Sequence, residues 1–259
     1  MVIFLASSGT GPTRPTALQE LYSKFGELQA QTDGPYYLNE CDGRQNWPDR
    51  GIYLFFTHDS DLENDPPSEW TVARIGTVGV SKGSSNTLWG RLRQHRGNLR
   101  GKYSGGGNSR GSIFRLHVGA AMIERDGLHD DYPLWGVKHA DWPDDVDTTD
   151  VREQEHRLEQ RVSEYISSLP FLVLNVPGEP GPRSDRASIE QRMISTFSYN
   201  HRIHDLGNDS WLGLESPKPE IYRSRLWNIN HVEGFASPDV VYDVDEYIPQ
   251  TEPVNPETE

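Results

Sequence analysis

The 259-residue chain has almost no cysteine: Cys41 is the only one. A single thiol excludes an internal disulfide framework and a thiolate metal cluster. Long apolar runs are missing too. The opening Met1–Ala6 stretch is apolar but short, with no Lys or Arg before it. It has neither the basic start of a secretory signal nor the length of a membrane span, so a cytoplasmic protein with no membrane partner is expected. Positive charge is also scarce, with 25 Lys and Arg against 39 Asp and Glu and a formal net charge of −14. Polyanion binding is driven by Lys and Arg releasing counterions, and at first sight the total argues against a nucleic-acid partner.

The total hides a segregation. Eight basic residues and no acid lie between Lys82 and Arg115, whereas eight acids and no Lys or Arg follow Arg225. So sharp a split makes a local basic patch plausible inside an acidic protein. Aromatic residues are plentiful (seven Trp, eleven Tyr, eight Phe) and supply large burial units, while 24 Gly and 18 Pro imply much surface loop.

Periodicity predicts the elements. Leu18, Leu21, Tyr22, Phe25 and Leu28 recur at three-to-four spacing, which predicts an amphipathic helix over 16–31 capped by Thr16. Gly51–Thr57 and Thr71–Thr77 read as paired strands around an acidic loop, Asp59–Glu69. Asn86 is the expected cap of a helix over 87–96 that Gly97 ends. After a glycine-rich basic loop, 101–111, the segment Ile113–Ile123 reads as a buried helix. An acidic insertion near 126–150, a charged helix over 151–168, a strand over 171–176 and a helix from Ser184 to about Tyr199 follow. The rest reads as irregular until Trp227, and the tail as disordered. With no repeat or linker, this gives an N-terminal helical extension at 1–48, one main domain at 49–235 and an acidic, disordered tail at 236–259.

Particular polar residues stand at the junctions of these elements. Gly51-Ile52-Tyr53 opens the first strand and Arg74-Ile75-Gly76-Thr77 closes the second; Arg91 and His95 lie on the next helix and Glu190 on a later one. Arg91 and His95 are one turn apart at one margin of the buried side formed by Leu88, Trp89 and Leu92, while Arg93 points away. The plain reading of that pair is an Arg and a His bonded to backbone carbonyls. Glu190 falls in an apolar face with Ala187, Met193, Ile194 and Phe197, so its carboxylate needs a cation or donors. Arg186, four residues earlier, offers one solution as an internal ion pair.

In this order and on these elements, the residues resemble the GIY-YIG nuclease superfamily over roughly 51–230, with the Arg91-x-x-x-His95 pair similar to the restriction-endonuclease branch. The resemblance implies an α/β (α+β) fold: a small three-stranded antiparallel sheet flanked by helices, here with an added N-terminal helix and insertions. It implies a metal-dependent endonuclease hydrolysing phosphodiester bonds of DNA, in restriction, phage defence or repair. Glu190 is then a lone carboxylate for Mg2+ or Mn2+, with water and substrate phosphate completing the shell. Arg91 grips a phosphate oxygen and offsets transition-state charge, and His95 orients or deprotonates the attacking group. Tyr53 takes a proton from the hydrolytic water, a task for which a phenol, with its ordinary pKa of roughly 10, needs a nearby cation or metal. Arg74 stands where the family's second motif begins with tyrosine; either the missing hydroxyl is redundant or its role passes to Thr77 or an ordered water. Asn228, with Asn230 as rival, matches the family's terminal asparagine. Lys82, Arg93, Arg96, Arg100, Lys102 and Arg110 are candidate nucleic-acid contacts. Nine histidines raise zinc, but none has zinc-site spacing. The partner implied is double-stranded DNA, bound by a homodimer or a larger defence complex. Two other readings stay open: an impaired nucleic-acid-binding module on the same scaffold, and an acidic protein-interaction domain.

Overall fold

A computed structural model describes residues 13–58, 70–198 and 210–254. The Met1–Ala6 stretch, the acidic 59–69 loop, the expected helix end at Tyr199 and residues 255–259 lie outside them. Helix α1 spans Arg14–Thr32, strand β1 Gly51–His58, β2 Trp70–Thr77, α2 Leu88–Arg96 and α3 Ile113–Asp126. Then come α4 (Thr148–Ser168), β3 (Phe171–Asn175), α5 (Asp185–Phe197), α6 (Pro219–Ser224) and α7 (Val240–Tyr247). The sheet has the order β2-β1-β3 with both pairings antiparallel, the three-stranded antiparallel sheet that the resemblance implied.

Because β1 is central, both of its faces are buried, which explains its almost continuous apolar sequence. Ile52, Leu54 and Phe56 point to one face and pack with Leu21 and Phe25 of α1, Met193 and Phe197 of α5, and Val244 of α7. Tyr53 and Phe55 point to the other, against Leu92 of α2, Phe114 and Val118 of α3, and Leu158 and Val162 of α4. Two helical layers thus enclose the sheet, and each fully buried Phe or Leu contributes roughly 1.5–3 kcal/mol.

Several boundaries differ from the sequence reading. Thr13, not Thr16, is the N-cap of α1, with Pro15 in the first turn, where its missing N–H costs nothing. Thr87, not Asn86, caps α2, its hydroxyl accepting the Gly90 N–H at 3.1 Å. Asp147 caps α4 and extends it back to Thr148. The acidic insertion is packed: Trp135 donates to the Leu116 carbonyl at 3.0 Å and lies where a Cβ on Gly119 would be. Disorder from 236 is corrected through residue 254. Val240, Val241 and Val244 are buried against α1 and α5, and Thr251 accepts the Asn175 N–H at 3.0 Å. Net acidity suggested a solvated tail, but three valines on one face of α7 outweigh it.

Candidate active site

The site forms at the edge strand β2, with α2 on one face of the sheet and α5 on the other. Two glycines shape it. Gly51 lies opposite Asn175, where a Cβ would run into the Leu174 carbonyl of β3; Gly76 lies opposite Tyr53, where a Cβ would fall inside the phenol ring. Tyr53 therefore lies over bare backbone, held flat on the sheet.

A β-bulge adjoins the next site residue. Phe55 pairs with Arg74 and Phe56 with Val72, leaving Ala73 as the extra residue. Arg74, two residues from Gly76 and paired with Phe55, lies by strand alternation on the Tyr53 side of the sheet, with its guanidinium carbon 4.8 Å from the centre of the Phe114 ring. Arg74 Nη1 donates to the Trp227 carbonyl, and the buried Nε has no partner among the described residues. Beyond the bulge, Trp227 N–H donates to Ala73 O at 2.7 Å. Asn228 uses both ends of its amide on Ile75: Oδ1 accepts its N–H at 3.1 Å and Nδ2 donates to its carbonyl at 2.8 Å. Asn228 thus stands in for a fourth strand at the edge of β2.

His95 is completely buried, its Nε2 2.8 Å from the Tyr53 hydroxyl and its Nδ1 2.8 Å from Ser112 Oγ. Burial, and then the charges of Arg74, Arg91 and Arg115, hold its pKa well below the usual histidine range, so it is neutral. Ser112 is the N-cap of α3, its Oγ accepting the Arg115 N–H at 3.3 Å. Arg91 is half-exposed and bonded to Gln94 at 3.1 Å, which leaves most of its fork free.

Glu190 of α5 reaches the same edge from the opposite layer, where its carboxylate accepts the Thr77 N–H. Burial pushes its pKa up to about 7, against the opposing pull of Arg74, that N–H and Arg91. Arg186 is not its ion-pair partner. That guanidinium is completely buried and donates to the carbonyls of Val78, Pro177, Gly178, Gly79 and Glu179 at 2.8–3.2 Å. Tyr53, Arg74, Arg91, His95 and Glu190 converge, and Asn228, rather than its rival Asn230, borders them through the backbone of Ile75.

The basic segment is less available than its composition suggests. Arg110 pairs with the buried Glu155 in forked geometry at 2.5 and 2.9 Å, Lys102 pairs with Glu153, and Arg96 donates to the Cys41 carbonyl. Arg115 and Glu159 form a buried pair beneath the glycine-rich loop, where a Cβ on Gly107 would meet the guanidinium. Lys82, Arg93 and Arg100 remain exposed.

Sequence reading gave no site role to Ser112 or Gly76 and offered Arg186 only as an ion-pair partner for Glu190. Ser112 had a readable signal as a cap before an apolar helix; the other two depend on what lies across the sheet. The only candidate metal donor in the constellation is the Glu190 carboxylate, and no group of three His, Cys, Asp or Glu gathers among the described residues. That donor set fits a hard cation that keeps water and substrate oxygens in its shell. No helix among the described residues is long and apolar enough to cross a membrane. A family model described as GIY-YIG domain matches residues 12–254, a wider span than the motifs alone suggested. No curated protein and no solved structure matches the chain.

Proposed function

The chain belongs to the GIY-YIG domain family, whose function is of the nuclease type, and we propose that it is a divalent-metal-dependent endonuclease acting on DNA phosphodiester bonds. One observation carries the reading: a desolvated carboxylate, Glu190, lies within the electrostatic reach of two arginines at the same strand edge as a Tyr53–His95 pair. Arg74 and Arg91 do not neutralise Glu190, whose pKa stays raised, and a bound cation relieves that cost. A divalent ion supplies Lewis-acid stabilisation of a phosphoryl oxygen and acidifies a bound water.

The remaining residues divide the work. Ser112 Oγ, already accepting the Arg115 N–H, donates its O–H in a hydrogen bond to His95 Nδ1. The imidazole proton then sits on Nε2 and is donated to the Tyr53 oxygen, and once the phenol has released its own proton to solvent the phenolate takes a proton from the reacting water. Arg91, with free donors, holds a non-bridging phosphate oxygen, and Arg74 adds positive charge where the family's tyrosine hydroxyl is missing. Asn228 maintains the edge of β2, because both ends of its amide are engaged. Exposed Lys82, Arg93 and Arg100 contact the DNA backbone.

Plasmid DNA in magnesium or manganese is the test. Wild type should nick or cut it, with Glu190→Ala and Arg91→Ala both inactive. Undiminished cutting in both variants overturns the site, and salt-sensitive binding without cutting in any metal favours the impaired binding module.

A further inference from the structure

Arg186 has a geometry that no ordinary surface or ion-pair role requires. A guanidinium carries five N–H donors, and all five are spent on backbone carbonyls in two separate turns. One turn leaves β2 through Val78 and Gly79, and the other follows β3 through Pro177, Gly178 and Glu179. Gly79 and Gly178 have φ of +69° and +107°, values that glycine supplies without strain and that turn their carbonyls toward the guanidinium. Arg186 therefore ties the first turn of α5 to the ends of two strands.

Glu190 lies one turn further along the same face, and its partner Thr77 immediately precedes Val78. Residues 186 and 190 thus hold neighbouring residues at the end of β2, the first the Val78 carbonyl by a cation and the second the Thr77 N–H by a carboxylate. The two contacts differ in one respect. The charged form of Glu190 gains free energy by reaching water, a standing pull that would rock the helix start away from the sheet. The five-carbonyl anchor opposes it.

We propose that Arg186 is a positioning residue that holds Glu190 on the edge of β2, where the reading above places the metal. Lysine is a poor substitute, since a point charge with three donors and no planar fork cannot serve two turns. The inference rests on Glu190 being the working carboxylate, but one readout is independent of cutting. Hydrogen exchange of the Thr77 amide is compared by NMR in metal-free wild type, Arg186→Lys and Glu190→Ala, with the Ile75 amide, held by Asn228, as internal standard. Glu190→Ala sets the value for a lost bond, about tenfold faster exchange. Arg186→Lys should reach a similar value and raise the magnesium needed for half-maximal cutting, with KM for DNA unchanged. If Arg186→Lys lowers the melting temperature yet leaves Thr77 protection and magnesium demand as in wild type, its role is merely structural and the proposal fails. If wild type cuts nothing, the endonuclease reading falls while Thr77 still decides the role of Arg186.

Discussion

Replacing Glu190 with glutamine should stabilise the metal-free protein at alkaline pH and leave it nearly unchanged at acid pH. The carboxyl titrates near its ordinary 4.5 in the unfolded chain and at about 7 in the fold. Between those values the folded state binds more protons than the unfolded one, so stability falls as pH rises, and the loss is complete above 7. Fully expressed, the displacement is worth about 3 kcal/mol; partial access of the side chain to water reduces it to about 2 kcal/mol. Glutamine keeps an oxygen for the Thr77 N–H and carries no charge to desolvate, so Glu190→Gln escapes the penalty. For a domain of this size the gain corresponds to a melting temperature higher by about 4–8 °C at pH 8. Calorimetry of both proteins in chelator between pH 4.5 and 8 measures it. The gap should open across that window and narrow again when millimolar magnesium is added to wild type. A gap that is the same at every pH would refute the claim that Glu190 is held against its preference for water.

Other residues give independent checks. Tyr53→Phe removes the oxygen that His95 orients and should lower kcat by about 10²- to 10⁴-fold, while binding of a fluorescent DNA duplex measured by anisotropy stays as in wild type. Arg110→Ala strands the buried Glu155 and should cost about 3–5 kcal/mol in chemical denaturation, whereas Arg93→Ala should leave stability intact and reduce the salt dependence of DNA binding by about one unit of slope. His117, buried on α3, has its pKa lowered to about 4, first by burial and then by Arg74 and Lys218. A depressed histidine stabilises the fold above pH 6.5 and loses that contribution as pH falls toward 4. His117→Asn should therefore flatten the acid limb of the stability curve, as read from melting temperatures between pH 4 and 7.

Much of the fold was readable because local pattern and global position agree. The GIYLFF run reads as a strand buried on both faces, and it is the central one. The order of polar residues at the junctions placed Tyr53, Arg91, His95 and Glu190 on the elements that bring them together. What sequence could not supply was the identity of the partners. Charge counting marked Lys102 and Arg110 as free cations, because the neutralising acids of α4 lie some fifty residues later in the chain. Helical spacing put Arg186 beside Glu190 with equal force for an ion pair, because i and i+4 residues share a face whatever they bind. Which alternative wins depends on the two glycine turns that aim five carbonyls at one guanidinium. With Arg186 engaged there, Glu190 is left without the neutralising partner that spacing offered it. A structural ion pair would have closed this face of α5, whereas an anchored helix with an uncompensated carboxylate one turn further on keeps a charge available for a cation to meet.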